Sequence, residues 1–514
     1  MVPNGMGWII IDALDTMMLM NLTTELSHAR EWVATNLTFD QDHDVNTFET
    51  TIRMLGGLLS AHYLSTEFPQ MAPLATLDVP SGDDIYLEKA TDLADRLLGA
   101  YESSSGVPYA SVNLKTAKGI VSHEDGGASS TAEATSLQLE MKYLAKLTGE
   151  AHYWEAAEKV MQVVDDNGMK DGLLPIFIYA DQGTFRGENI RLGSRGDSYY
   201  GASIQPPHLR TPLTSAEYLI KQYLQTSLQE PIYQSMWSDA LAGIRKHLLA
   251  YTLHSNLTIL AERPSGLNAP IFPKMDHLVC FMPGTIALAA TSGHTLAHAR
   301  KLPSWTADHE AQIELARELT KTCWGMYKVT ATGLSPEIAH FHVAQPAALV
   351  GDEVEPRPSP AELSEDPEAE WRKDFDIHSN DVHNLQRPET VESLFYMWRI
   401  TGEEKYREWG WEMFEAFERW TLLEEDGDAG RVEEEVPAGE TNEEREARET
   451  RKADQRVKEM NAAGAKGKYR GFSSINDVNQ LPPPTKDNME SFWLVSTSLP
   501  LHPQLFILSL SPVI

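Results

Sequence analysis

The sequence predicts an all-α fold assembled from helical hairpins, stacked as a solenoid or closed into an α/α toroid. Three observations predict it. A helix-opening segment recurs as Tyr86-Leu87-Glu88-Lys89-Ala90, Tyr153-Trp154-Glu155-Ala156-Ala157 and Tyr406-Arg407-Glu408-Trp409-Gly410. The same turn precedes two of these, Leu147-Thr148-Gly149-Glu150 and Ile400-Thr401-Gly402-Glu403. Glycine there closes the preceding helix in the left-handed conformation that other residues resist. Each turn also follows an amphipathic helix, so the unit is helix, Thr-Gly stop, helix, and the short link makes the pair antiparallel.

The elements follow in chain order. Residues 8–35 read as helical. Residues 48–65 form a second helix, and Gly56-Gly57 inside it weaken it unless another helix approaches closely there. The hairpin helices come next, joined by long Gly- and Asp-rich connections over 104–128 and 171–200, the composition of binding loops. Residues 352–375 are Pro-rich and acidic. Residues 424–468 carry many charges and almost no large apolar side chains, which reads as peripheral or disordered. The final residues from Ser491 lack charged side chains but contain Pro500, Pro503 and Pro512, so they are not read as a membrane span.

Length allows about three domains or one large helical barrel. A net charge of −32 over 514 residues excludes nucleic acid as a natural partner. Twelve Trp and 17 Tyr suit stacking on sugars, and equally suit a large core. Cys280 and Cys323 are the two cysteines. They are either two buried thiols of a cytosolic protein or one disulfide of a secretory one. Sequons at Asn21, Asn36 and Asn256 are compatible with the secretory route. No signal peptide is evident, because Asp12 and Asp15 interrupt the first apolar run.

Carboxylates at probable helix starts carry the chemistry. In Arg387-Pro388-Glu389-Thr390-Val391-Glu392-Ser393, Pro388 suits a first helical turn. Glu389 and Glu392 then share one face, and Val391, Leu394, Phe395 and Trp398 supply a packing stripe. Two acids at a helix mouth suit a carbohydrate site, where one activates water and the other holds a hydroxyl or a metal-bound water. They also simply complement the helix dipole. Four further acids stand in similar settings. Glu49 lies inside an apolar helix with Arg53 one turn on. Asp197 stands beside Arg195, Tyr199 and Tyr200. Glu337 follows Ser335-Pro336 at another helix start, and Glu490 precedes Phe492 and Trp493. Each alone reads first as a capping or surface acid.

Taken in order, these segments resemble the class I α-1,2-mannosidases, glycoside hydrolase family 47. The resemblance runs from Gly7 to Leu494. It is carried by Ile11-Asp12-Ala13-Leu14-Asp15-Thr16, Phe48-Glu49-Thr50-Thr51-Ile52-Arg53 and Arg195-Gly196-Asp197-Ser198-Tyr199-Tyr200. Met275-Asp276-His277-Leu278-Val279-Cys280, Ser335-Pro336-Glu337 and Arg387 through Ser393 continue it. Ser473-Ser474-Ile475-Asn476 and Met489-Glu490-Ser491-Phe492 complete it.

The resemblance implies an (α/α)7 barrel that removes α-1,2-linked mannose from N-glycans with inversion. It implies Glu49, Asp197, Glu337 and Glu389 as the catalytic acids. Glu49 matches a general acid acting through water, Glu389 the base with Asp197 as the alternative, and Glu337 a further proton donor. Arg53, Arg195, His277, Arg387, Glu392 and Glu490 match substrate-side or metal-side positions. Cys280 and Cys323 match the family's disulfide. Arg195 stands where endoplasmic-reticulum-type members carry Arg, which implies trimming of Man9GlcNAc2 to a Man8 isomer; a monomer of the secretory pathway is expected.

Departures from the family pattern generate further expectations. Residues 7–494 form the catalytic domain, with insertions at 201–216 and 424–468 and an unrelated tail at 495–514. The insertion after Tyr200 and the tail read as retained introns. The family's closing Asn-Thr-Glu-Ala-His-Pro motif is not found, and its Thr is the protein ligand of Ca²⁺. No metal ligand is therefore assigned, Glu392 and Glu490 serve as acids that hold metal-bound waters, and the barrel is expected to lack its last part. Weak calcium binding and little activity follow. The alternatives are a non-hydrolytic glycan-binding protein, a product of incorrect splicing, and a helical scaffold.

Overall fold

The computed structural model describes residues 5–72, 84–168, 170–200, 218–343, 360–424 and 469–493. Helices dominate, and the hairpin unit is present. Helix Gln138–Thr148 ends at Gly149 (φ 78°) and the chain turns into helix Ala151–Asp166, which packs against it. Helix Glu389–Thr401 ends at Gly402 (φ 75°) and packs against Lys405–Thr421 in the same way. Both glycines occupy the left-handed region where a Cβ would be strained. The recurring tyrosines Tyr86, Tyr153 and Tyr406 are buried, each in the first turn of its helix.

Neighbouring helices follow one another in space. Gly56–Glu67 packs on Ile85–Leu97, Gln138–Thr148 on Tyr218–Gln225, and Tyr218–Gln225 on Pro231–His247. Met282–Thr291 packs on both Ala307–Lys328 and Glu389–Thr401. The two ends of the described chain then meet. Ser491 Oγ donates to the Asp12 carboxylate, and Arg53 Nη1 donates to Ser491 Oγ at 3.0 Å. Trp493 lies between Phe417 and Phe472, its ring centroid 4.8 Å from each. These contacts join the beginning of the helical array to its end.

The fold is mostly helical, as expected, with short strands added. Six small sheets of two or three strands accompany the helices. Their strands run two to four residues, too short for an alternating pattern to register against helical periodicity. One sheet pairs Lys274–Asp276 with Ile338–Phe341, which in turn pairs with Phe375–Asp376. Glu337 therefore precedes a strand and does not start a helix as expected.

Two helical expectations also change in detail. Residues 8–35 form three helices, Trp8–Asp12, Leu14–Leu19 and Thr23–Thr35, the last break passing through Asn21 at φ 56°. Residues 47–67 form one rod with a π-helical stretch, Thr50–Leu55, between α-helical ends. Glu49 is in the first turn of that rod and not inside it, because the Asn46 side chain caps the start by accepting from the Glu49 N–H at 2.7 Å.

Cys280 and Cys323 are disulfide-bonded and fully buried, fastening the 3₁₀ segment His277–Phe281 to helix Ala307–Lys328. Of the Pro-rich acidic stretch, the described part ends in a 3₁₀ turn, Glu370–Asp374, with Trp371 buried. Segments 201–216, 425–468 and 495–514 lie outside the described residues, so the expected insertions and tail are not addressed by the fold. No helix among the described residues is long and apolar enough to cross a membrane.

The close approach expected at Gly56-Gly57 is present. A Cβ at Gly57 would lie 2.7 Å from the Ile11 carbonyl oxygen. Two effects oppose each other in Gly57→Ala. Helix propensity favours alanine by about 1 kcal/mol, while forcing a methyl against fixed backbone costs about 1–3 kcal/mol. Sterics should win, and urea unfolding should show a net loss of stability; a stabilised variant would show that the helix Trp8–Asp12 is free to shift.

Candidate active site

The site is built largely from helix starts. Asn46 caps the rod that carries Glu49, and its side-chain amide also donates to Glu133 Oε2 at 3.3 Å. Glu133 is held in the same manner, at the third position of helix Thr131–Thr135, with Ser130 Oγ accepting from its N–H at 3.3 Å. Asp197 opens helix Asp197–Tyr200, which packs on Thr131–Thr135. Glu389 opens helix Glu389–Thr401, with Pro388 immediately before it. Unpaired N–H groups and the positive dipole end favour carboxylates at all four positions.

Arginines hold these acids in register. Arg53 Nε donates to Glu49 Oε2 at 2.6 Å, one turn along the rod. Burial opposes the Arg53 charge, but Glu49 and Asp12 outweigh it and raise its pKa. Arg387 Nε donates to Glu337 Oε2 at 2.6 Å, while the Leu385 N–H donates to Glu337 Oε1 at 3.2 Å. Burial likewise opposes the Arg387 charge; Glu337 and Glu389, with Asp197 adding its field, keep it protonated. The Arg53 and Arg387 guanidinium groups lie 5.4 and 5.8 Å from the centroid of one ring, Phe492. That shared aromatic brings the Glu49 and Glu337–Glu389 groups together, although they are far apart in sequence.

Glu389 is bound to His277, with Oε2 3.0 Å from Nδ1. The other ring nitrogen of His277 lies 2.9 Å from the Tyr327 hydroxyl and 3.0 Å from Thr390 Oγ1. Burial pushes the Glu389 carboxyl up, but the His277 hydrogen bond and the charges of His277 and Arg387 more than offset it. The net shift is downward, so Glu389 is ionised at neutral pH. The His277 N–H donates to the Glu337 carbonyl at 2.8 Å, which ties the two acids through the backbone as well.

The remaining expected residues fall around this centre. Arg195, at φ 73°, pairs with Asp125 at 2.5 Å and lies over Phe177 at 5.1 Å. Its field, with that of Asp125, reaches Glu133. Glu392 follows Glu389 by one turn and is partly buried. Glu490 accepts from Asn488 Nδ2 at 3.2 Å and its charge acts on Arg53. A separate cleft of about 270 Å³, bounded by Ile220, Trp237, Leu241, Arg245, Asp308 and His309, contains none of these acids.

Sequence reasoning passed over Glu133, Asp125 and Asp12. Glu133 is the most informative. Burial raises its pKa, the Glu49 and Asp125 charges add to that, and Asn46 and Arg195 oppose it. The available signal was Ser130-x-x-Glu133, a cap with an acid at its third position, the same spacing as Asn46-x-x-Glu49.

The sequence profile of glycosyl hydrolase family 47 matches residues 1–498. The chain belongs to that family. Family 47 relatives include a mannosyl-oligosaccharide 1,2-α-mannosidase of Candida albicans, 44% identical over 97% of this chain and 72% of its own length. An endoplasmic reticulum mannosyl-oligosaccharide 1,2-α-mannosidase of Saccharomyces cerevisiae is 38% identical over 96% of this chain and 79% of its own. Among solved structures, an α-1,2-mannosidase from Trichoderma reesei superimposes with a TM-score of 0.70 at 25% identity, covering 97% of this chain and 84% of that one. This family 47 chain is thus a glycoside hydrolase of the class I α-1,2-mannosidase type.

Family 47 enzymes generally require calcium. The described residues do not fit that ion on their own. Among them, the convergent group of three or more His, Cys, Asp or Glu ligand atoms is His340, His378 and Asp381. Two nitrogens and one oxygen are not the six to eight oxygens that calcium takes. Glu392 and Glu490 belong to no such group, and residues 494–514 lie outside the description. No chemical step below is routed through calcium.

The Glu389–His277 contact predicts a pH-dependent penalty. A depressed carboxyl pKa contributes stability above the ordinary value of 4.5 that is lost as pH falls through the folded-state pKa. His277→Asn should therefore cost on the order of 2–3 kcal/mol at pH 7, and less once the carboxyl is protonated. Urea unfolding at pH 7 and pH 3.5 measures this. A penalty equal at both would mean that His277 acts through packing alone.

Proposed function

We propose that the chain hydrolyses terminal α-1,2-linked mannose of high-mannose N-glycans, with Glu49 and Glu389 as acid and base. The observation that carries this reading is the pair of guanidinium groups over Phe492, because it draws Glu49, Glu337 and Glu389 toward one space. Glu389 is the base. It is ionised at neutral pH, and His277 fixes its orientation from a buried position. Glu49 is the general acid. Its side chain is 39% exposed and open to water, which suits proton delivery to the glycosidic oxygen through a water molecule. Glu337 orients Arg387, and Asp197 is the alternative base. Inversion requires the acid and base on opposite faces of the sugar with room for a water between them.

The same reading gives the scaffold an (α/α)7 barrel of helical hairpins that lacks its last part, in line with the Trichoderma likeness. The substrate is Man9GlcNAc2 on glycoproteins, trimmed to Man8GlcNAc2 by a monomer. Arg195, held by Asp125 over Phe177, offers a rigid multiple donor for sugar hydroxyls and limits which branch enters. The compartment is the endoplasmic reticulum, supported by the names of relatives such as that of S. cerevisiae and by the buried disulfide.

The test is release of mannose from Man9GlcNAc2 by the full chain in calcium-containing buffer. Glu49→Gln and Glu389→Gln should each lower kcat/KM by roughly 10²–10⁴-fold. Glycan binding without release by the parent chain would leave the non-hydrolytic or inactive alternatives standing against this reading, and full activity of both variants would overturn the assignment.

A further inference from the structure

We propose that His340, His378 and Asp381 form a site for a divalent transition-metal ion with zinc-like preferences, beside the catalytic centre. Their ligand atoms lie within 4.8 Å of one another. His340 is on strand Ile338–Phe341, and the other two are on the loop that returns toward Arg387.

The distances suit two ligands of one ion as well as a loose hydrogen bond. His340 Nε2 is 3.3 Å from Asp381 Oδ2, and His378 Nδ1 is 4.0 Å from the same oxygen. The first is long for a hydrogen bond to a carboxylate, and the second is too long. Two ligands of one tetrahedral ion with bonds of about 2.0–2.1 Å stand roughly 3.3–3.4 Å apart. A small closure of the His378 ring satisfies that spacing. The two imidazoles already stack, with centroids 3.7 Å apart and planes at 16°. Both rings must tilt out of this stack about their soft terminal torsions before their lone pairs converge on one ion.

The outer contacts also suit a metal. Asp376 Oδ2 is 3.1 Å from His378 Nε2, the ring nitrogen that faces away from Asp381. A carboxylate there accepts a hydrogen bond from Nε2–H and leaves Nδ1 as the free lone pair, the usual support of a metal-binding histidine. The nearby cation Lys274 is already engaged by Glu262 at 2.9 Å and Asp276 at 2.8 Å. His340 and Asp381 have side chains 15% and 17% exposed, so the site is sheltered, while His378 is half exposed and gives an ion access. Imidazole nitrogens with one carboxylate suit zinc, nickel or copper, not calcium.

The location gives the site a consequence. The Glu337 N–H donates to the Asp381 carbonyl at 3.1 Å and to the His383 carbonyl at 2.9 Å. An ion on the Asp381 carboxylate therefore braces the loop that holds the Glu337 backbone.

Calorimetric titration of the full chain with ZnCl₂ in millimolar calcium tests the proposal. The parent protein should show a saturable zinc site that calcium does not displace. His378→Ala, a half-exposed position that should fold normally, and Asp381→Asn should each weaken it at least about tenfold. No saturable binding by the parent protein would overturn the proposal. So would unchanged affinity in the His378→Ala protein, which would assign the ion to other surface histidines such as His294 and His298, whose rings lie 4.6 Å apart.

Discussion

The guanidinium of Arg387 is the interaction on which the site depends. It is largely buried, with its side chain 24% exposed, and a buried cation persists only when paired. Glu337 supplies the direct partner, Glu389 and Asp197 supply field, and Phe492 supplies an aromatic face. Each partner comes from a different part of the chain, so the pairing requirement of one charge constrains four segments at once. Arg53 repeats the arrangement at the same ring, with Glu49 and Asp12.

Why the acids arrive at one end of the array follows from helix termini. Glu49, Glu133, Asp197 and Glu389 all stand in first turns, where orphan N–H groups and the dipole stabilise negative charge. Short strands before these helices, Asp44–Asn46 and Ala128–Ser130, set the caps Asn46 and Ser130 in place. These two small strands therefore do a specific job: they fix the starts of the helices that carry Glu49 and Glu133. The environments then diverge. Glu389 is driven toward the anion by His277, while Glu133, buried near other carboxylates, is driven toward the neutral form. Divergent environments of neighbouring acids are what acid–base chemistry at one pH requires.

The hairpins were legible because a Thr-Gly stop between two amphipathic helices is a local signal, as Gly149 and Gly402 show. The close packing at Gly57 was legible from a residue that helices otherwise avoid. Glu389 and its helix start could be read from Pro388 and the stripe Val391, Leu394 and Trp398. What could not be read was long-range. Nothing local marks Glu337 as preceding a strand, because Ile338–Phe341 gains its partners from Lys274–Asp276 and Phe375–Asp376. The π-helical stretch Thr50–Leu55 has no composition of its own. The service of Phe492 to two arginines, and the meeting of Asp12 with Ser491, exist only once the ends of the chain come together. Individual acids were ambiguous; their ordered set was specific to family 47, and the match over residues 1–498 agrees with it.

The central claim is that Glu49 and Glu389 act from opposite faces of one sugar with a water between them. Proton NMR of the mannose released in the first minutes of hydrolysis tests it most directly, before mutarotation mixes the anomers. The account predicts β-mannose from the α-linked substrate. Initial release of α-mannose would require a covalent intermediate on closely spaced carboxylates and would contradict the roles assigned to both residues.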